Sequence, residues 1–184
     1  MERMRIGILR VGQIKDSVFE RLGENLNIAF HNATITLISE SLAPSKKAFD
    51  EKRQQYRSDI ILTEIRSYAE NEKSQDRVLG IADTDIFIPR MNFVFGQADF
   101  QGKVALISLW RLKPEFYGRK SNLEILIQRA TKEAVHEIGH TLGLEHCPDP
   151  FCVMYFSNSI FETDRKQSLF CSRCYVKVEN DLAI

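Results

Sequence analysis

Three of the four histidines of this 184-residue chain lie in one window, His136-Glu137-Ile138-Gly139-His140-Thr141-Leu142-Gly143-Leu144-Glu145-His146, with the spacing H-E-x-x-H-x-x-G-x-x-H. Residues four apart on a helix share a face, so the imidazoles of His136 and His140 can reach one tetrahedral metal ion. Gly143 lets the chain leave the helix in a backbone conformation that few other residues adopt, which returns His146 to the metal as a third ligand. Three neutral nitrogens leave the fourth position of a zinc ion open, the mark of a catalytic site. Water bound there drops in pKa from 15.7 to about 7 and becomes a usable nucleophile. Glu137, which is not a ligand, is placed to take a proton from that water, after which the hydroxide attacks a carbonyl and the same carboxyl protonates the leaving amine. Histidine pairs at helical spacing also arise by chance on surfaces. The glycine and the third histidine, at the end of a strongly helical segment, make this pattern far more demanding.

The segment upstream predicts the helix that carries the window. Ser121-Asn122-Leu123-Glu124 has the form of a capping box, with Ser121 as N-cap and the helix starting near Asn122. Leu123, Leu126, Ile127, Ala130, Ala134, Ile138 and Leu142 then recur at helical intervals and predict a broad buried face. Gly139 costs about 1 kcal/mol relative to alanine in an exposed helix, and its expected reason is close packing beside the metal.

All four cysteines follow that helix, as Cys147-x4-Cys152 and Cys171-x2-Cys174. Two disulfides and one four-thiolate zinc site both fit four cysteines. The N-terminal stretch Met-Glu-Arg-Met-Arg-Ile-Gly-Ile-Leu has no apolar core of signal-peptide length and no cleavage site, so a reducing, cytoplasmic compartment is expected and the zinc site favoured. Two short-spaced pairs are the usual knuckles of a closed structural site. The expectation is thus two zinc ions per chain, one catalytic and one structural, with Cys147 directly after His146 so that the second ion braces the third ligand of the first.

The histidine string followed at once by Cys147, Cys152-Val153-Met154 and Cys171-Ser172-Arg173-Cys174 resembles the archaemetzincins, a branch of the metzincin clan of zinc metallopeptidases. Upstream, Arg53 to Ser58, Asp85 to Pro89 and Asn92 to Ala98 are similar to stretches of that family, so the likeness covers most of the chain. It implies that Met154 is the methionine of the turn beneath the metal, shaping the floor of the site without binding it; on bare composition it is a core methionine. It also implies that an antiparallel edge strand borders the cleft and pairs with an extended peptide. Asn92, Phe93, Val94, Phe95, Gly96 and Gln97 are the candidates, since an edge strand offers free N–H and C=O groups. Phe93 and Phe95 can equally be core aromatics. Some metzincins carry a tyrosine two residues after the methionine; here Tyr155 comes one residue after and Phe156 takes the second place, so Tyr155 receives no role at the metal.

The elements that must position these residues alternate. Strands are expected at Arg5 to Val11, Ala33 to Ser39, Val78 to Ala82, Asn92 to Ala98 and Val104 to Leu109, and helices at Asp16 to Ala29 and Ser58 to Asn71. Ala43 to Arg57, rich in lysine, arginine and glutamine, reads as a solvated loop. The order predicts an α/β (α+β) fold: a mixed, mostly parallel sheet with helices packed on it, the metzincin-like architecture that the resemblance also implies. Two units are expected, 1–146 with the sheet and the active-site helix, and a small zinc-braced unit, 147–184. His31 is read as structural or surface.

Composition narrows the partners. With 43% hydrophobic residues the chain can bury a full core. The 25 basic and 25 acidic side chains cancel, which argues against a nucleic-acid partner, and no apolar run approaches the roughly 20 residues that span a bilayer. A monomer acting on peptides or proteins is the expected assembly, with no obvious pro-segment carrying a spare cysteine ahead of it. A zinc-stabilised interaction module with a vestigial histidine site, and a hydrolase of non-peptide bonds, are the alternatives.

Overall fold

The apolar runs and amphipathic segments between Arg5 and Thr141 fold into a sheet with helices on both faces. The computed structural model describes residues 3–182; the extreme ends of the two expected units, 1–2 and 183–184, lie outside the described residues. In chain order the elements are β1 (Arg5–Val11), α1 (Asp16–Ala29), β2 (Thr34–Leu42), β3 (Phe49–Asp50), β4 (Gln55–Arg57), α2 (Ser58–Asn71), β5 (Arg77–Ala82), β6 (Ile86–Phe87), β7 (Gly96–Ala98), β8 (Val104–Ser108), α3 (Leu123–Thr141), α4 (Ile160–Arg165) and α5 (Ser172–Leu182). The main sheet has the order β2-β1-β5-β8-β7, parallel except for β7, which runs antiparallel to β8 at one edge. This is the mixed, mostly parallel sheet that the sequence predicts.

Side-chain alternation along the central strands builds a core on each face. Ile6, Ile8, Leu79, Ile81, Ala105 and Ile107 join α1 and α3 in one buried cluster, whereas Leu9, Val11, Val78, Ala82, Val104 and Leu106 join α2 in the other. Strands covered on both sides read as continuous hydrophobic runs, and VALIS of β8 is buried throughout. The first cluster continues past α3 into Leu144, Cys147, Cys152, Val153, Met154, Ile160, Cys174 and Val178. The C-terminal segment therefore shares its buried surface with the active-site helix.

Three expectations are corrected here. Ser121 is not the N-cap of α3. Asn122, in extended conformation, takes that place, its side chain accepting a hydrogen bond from the Ile125 amide at 3.0 Å, while Glu124 turns away to Arg21 of α1. The segment Ala43 to Arg57 is not a solvated loop but contains a 3-10 turn at Lys46–Ala48 and strands β3 and β4, which form a second sheet with β6. Asn92 to Ala98 is a strand only from Gly96 onwards. Before it, the Met91 and Asn92 carbonyls accept from Arg53 at 2.8 Å each, and Gln55 also donates to Asn92 at 3.0 Å. Side chains from the second sheet thus take carbonyls that a longer ladder would have used.

Among the described residues, no helix is long and apolar enough to cross a membrane.

Candidate metal centre and active-site cleft

The last turn of α3 explains how three histidines meet. Gly143 at φ +84° lies in the left-handed region, and around it the Leu144 amide donates to Gly139 O and the Gly143 amide to His140 O, each at 3.0 Å. This is a Schellman closure, which satisfies the terminal carbonyls and reverses the chain. His146 returns beside His136 and His140, with ring centroids 5.3 and 4.9 Å away. The three rings offer one nitrogen each within 4.8 Å of one another.

Their tautomers follow from their partners. His136 Nδ1 donates to the Val153 carbonyl at 2.8 Å, and His140 Nδ1 to the Leu144 carbonyl at 2.7 Å. Each ring is left with a lone pair on Nε2, and the two Nε2 atoms face each other at 3.1 Å. Lone pairs opposed at that distance repel unless a cation is shared between them, so the donor set fits a metal. Burial is the main influence lowering the basicity of all three rings, and it keeps them in the neutral form that a metal requires.

Glu137 lies in the floor of the same cleft, a cavity of about 490 Å³. Burial, reinforced by Glu133 and opposed by Lys166, raises its pKa well above the usual carboxylate range, which makes it a stronger proton acceptor. Gly96 leaves room for it. A Cβ built on Gly96 would stand 2.6 Å from Glu137 Cγ and Oε1 and 2.7 Å from the Leu106 carbonyl, so no side chain can occupy that position without displacing the carboxylate or the strand. The sequence suggested Gly96 for substrate contact; the close approach of Glu137 that excludes a side chain there is non-local, and no local motif announces it.

The expected wall is assembled as well. Asn92, Phe93, Val94, Phe95, Gly96 and Gln97 all line the cleft, as do Phe156, Ser157 and Asn158. β7 pairs with β8 on one side only. The Gln101 amide donates to His140 O at 3.0 Å, which pins the edge strand along α3. Phe93 stacks under the Arg111 guanidinium at 4.3 Å, and Arg111 in turn forks onto Asp85 with two bonds of 2.7 Å. Arg53 and Gln55 lie in a stretch that the family resemblance picks out, but nothing in the sequence announces that they, or Arg111, hold this wall.

Met154 is fully buried, and a Cβ at Gly139 would approach its Sδ to 2.5 Å. Gly139 is thus explained by close packing, as expected. Phe156 packs on the His146 ring with centroids 4.8 Å apart. Tyr155 instead stacks with Arg165 and does not line the cleft. His31 is exposed and remote from the cluster.

The four cysteines form a second cluster, with all sulfurs within 4.8 Å of one another. Cys147 and Cys171 are 3.9 Å apart and Cys152 and Cys174 3.8 Å, well beyond the roughly 2.05 Å of a disulfide. A tetrahedron with metal–sulfur bonds of about 2.3 Å has edges of about 3.8 Å, so the spacing fits one shared ion. The Cys171 amide donates to Cys152 Sγ at 3.4 Å. Burial opposes ionisation of Cys171, but the Cys174 amide and the neighbouring thiols outweigh it and bring its pKa down to about 7. Burial pushes Cys174 up.

Comparisons with known proteins agree with this geometry. Residues 2–180 match the model of Peptidase family M54. The archaemetzincin of Pyrococcus abyssi is 40% identical over 178 residues, covering 95% of this chain and 94% of the relative. Among solved structures, a zinc-dependent peptidase from Methanocorpusculum labreanum superposes with a TM-score of 0.86 at 29% identity, covering 94% of this chain and 99% of that one. The archaemetzincin of Methanopyrus kandleri does so with a TM-score of 0.85 at 33% identity, covering 99% and 97%. The chain belongs to peptidase family M54, the archaemetzincins, a family of zinc metallopeptidases.

Proposed function

We propose that the chain hydrolyses peptide bonds with a water held at the three-histidine cluster and with Glu137 as general base. The observation that carries this reading is the convergence of His136, His140 and His146 beside a buried carboxylate in the floor of one cleft. Zinc, held by the three rings, would supply Lewis acidity and lower the pKa of a bound water. Glu137 would hold the proton drawn from the attacking water and pass it to the leaving amine. The unpaired side of β7 receives the backbone of an extended substrate, with the wall from Asn92 to Gln97 beside it. Met154 shapes the floor.

The second zinc is assigned to Cys147, Cys152, Cys171 and Cys174, whose spacing supports a closed structural site bracing the unit from residue 147 onwards. Four unbridged thiols also favour a reducing compartment, the cytoplasm. A monomer working on peptides or proteins, without nucleic acid, fits the balanced charge.

Two measurements test the reading. Metal-loaded protein should digest a peptide library, and elemental analysis should find two zinc ions per chain, the histidine-bound one lost first to mild chelation because its open position admits competing ligands. A digest without cleavage, or at most one zinc after reloading, overturns it.

A further inference from the structure

Glu133 stands one helical turn before Glu137 on α3, is 3% exposed and lines the same cleft. Its Oε1 is held twice from behind, by the Thr163 hydroxyl at 3.0 Å and by the Lys166 ammonium at 3.0 Å. The ammonium contact is an ion pair without the alignment of a directed hydrogen bond. Both partners are fully buried, so the carboxylate is fixed before any ligand arrives. Among the described residues its second oxygen has no protein partner. Ser157 Oγ, in the lining of the same cleft, is buried and likewise without a partner. The lining of this cleft contains a single lysine or arginine, Arg90, which is exposed.

An apolar side chain entering here would seal the free Glu133 oxygen away from water and leave the buried Ser157 hydroxyl unpartnered. A donor-bearing one would satisfy the carboxylate directly and, with a small rotation of Ser157, the hydroxyl as well. A site built from buried polar groups discriminates against ligands that lack the matching group more strongly than an apolar pocket discriminates by size. We propose that Glu133 and Ser157 form a specificity pocket for a long hydrogen-bond-donating side chain, arginine before lysine or glutamine, next to the scissile bond. This rests on the peptidase reading given above. Arginine leads because its planar fork can address two separated acceptors at once and is more weakly hydrated than an ammonium. Lys166 and Thr163 are positioning residues that act through Glu133.

Zinc-loaded protein should be given matched peptides that differ at one residue, arginine, lysine, glutamine or norleucine. The arginine peptide is expected to exceed the norleucine peptide in kcat/KM by about 10- to 100-fold. The double variant Glu133→Leu/Lys166→Met, which leaves neither charge buried alone, should lose or reverse that preference while still cleaving norleucine peptides. Equal or better cleavage of the norleucine peptide by the parent, or an unchanged preference in the double variant, overturns the proposal. Binding of the arginine and norleucine peptides to Glu137→Gln, followed by fluorescence anisotropy, separates this pocket from the chemistry and keeps the test intact should the double variant not fold. Tighter arginine binding without hydrolysis by the parent would sink the peptidase reading and keep the pocket. Equal binding sinks the pocket.

Discussion

The nitrogen cluster and the sulfur cluster are joined by a single peptide bond, between His146 and Cys147, yet differ in how they meet solvent. His136 is buried, His140 intermediate and His146 exposed, so the histidine cluster opens along a gradient into the cleft. Three of the four cysteines are buried, and their sulfurs close a tetrahedron among themselves. Donor count and burial therefore distinguish three nitrogens that face a cleft from four sulfurs that face one another, even where adjacent residues feed both.

Glu137→Gln should break the comparison most strongly from the chemical side. On the proposed role of Glu137 as general base, hydrolysis should fall about 10²- to 10⁴-fold with zinc content unchanged; kinetics and elemental analysis on one preparation check this, and cleavage at the parent rate would remove Glu137 from that role. Gly96→Ala comes next. The added methyl would sit 2.6 Å from Glu137 Oε1, and displacing a reacting group by about an ångström can cost roughly 100-fold. A fall of about 10- to 100-fold in kcat with unchanged zinc content is expected, whereas parent-like kcat would show that the carboxylate tolerates a side chain there.

Cys174→Ser probes the joint between the two clusters. Loss of one thiolate should expose the C-terminal segment to proteolysis and, through Cys147, weaken zinc at the histidines by about 10-fold, as losses of supporting contacts do. Chelator competition gives the affinity, and an unchanged value alongside an intact tail would mean that the clusters are independent. The smallest effect belongs to Asn122→Ala, at the far end of α3. Removal of its bond to the Ile125 amide should cost about 1 kcal/mol of stability and leave both metal affinities unchanged; thermal unfolding with zinc titration will show whether that end is energetically separate.

The same contrast governs what could be read from the residues alone. α1 and α2 fall where their periodicity places them, because local amphipathicity sets those boundaries. The histidine window and the cysteine pairs were legible because ligand geometry demands short, regular spacings. The residues of the wall before β7 were named from the sequence but its non-strand path was not, since that path is set by Arg53 and Gln55 reaching across from another sheet, and two-residue strands such as β3 and β6 have no periodicity to detect. Glu133 and Lys166 stayed hidden for a related reason: an acidic residue on a helix reads as solvated until its partner 33 positions later folds over it.

The hydrogen bonds from the His136 and His140 rings to the Val153 and Leu144 carbonyls end on main-chain atoms. Acceptors of this kind are insulated from mutation. Every amino acid supplies the same oxygen, so Val153 and Leu144 are free to drift among side chains that keep the chain path, and ring orientation is inherited from the trace of the backbone. Genetic screens for lost activity should therefore find few hits at the very positions that aim these two rings. Their contribution will surface only through lesions that bend the loop, such as substitutions at Gly143.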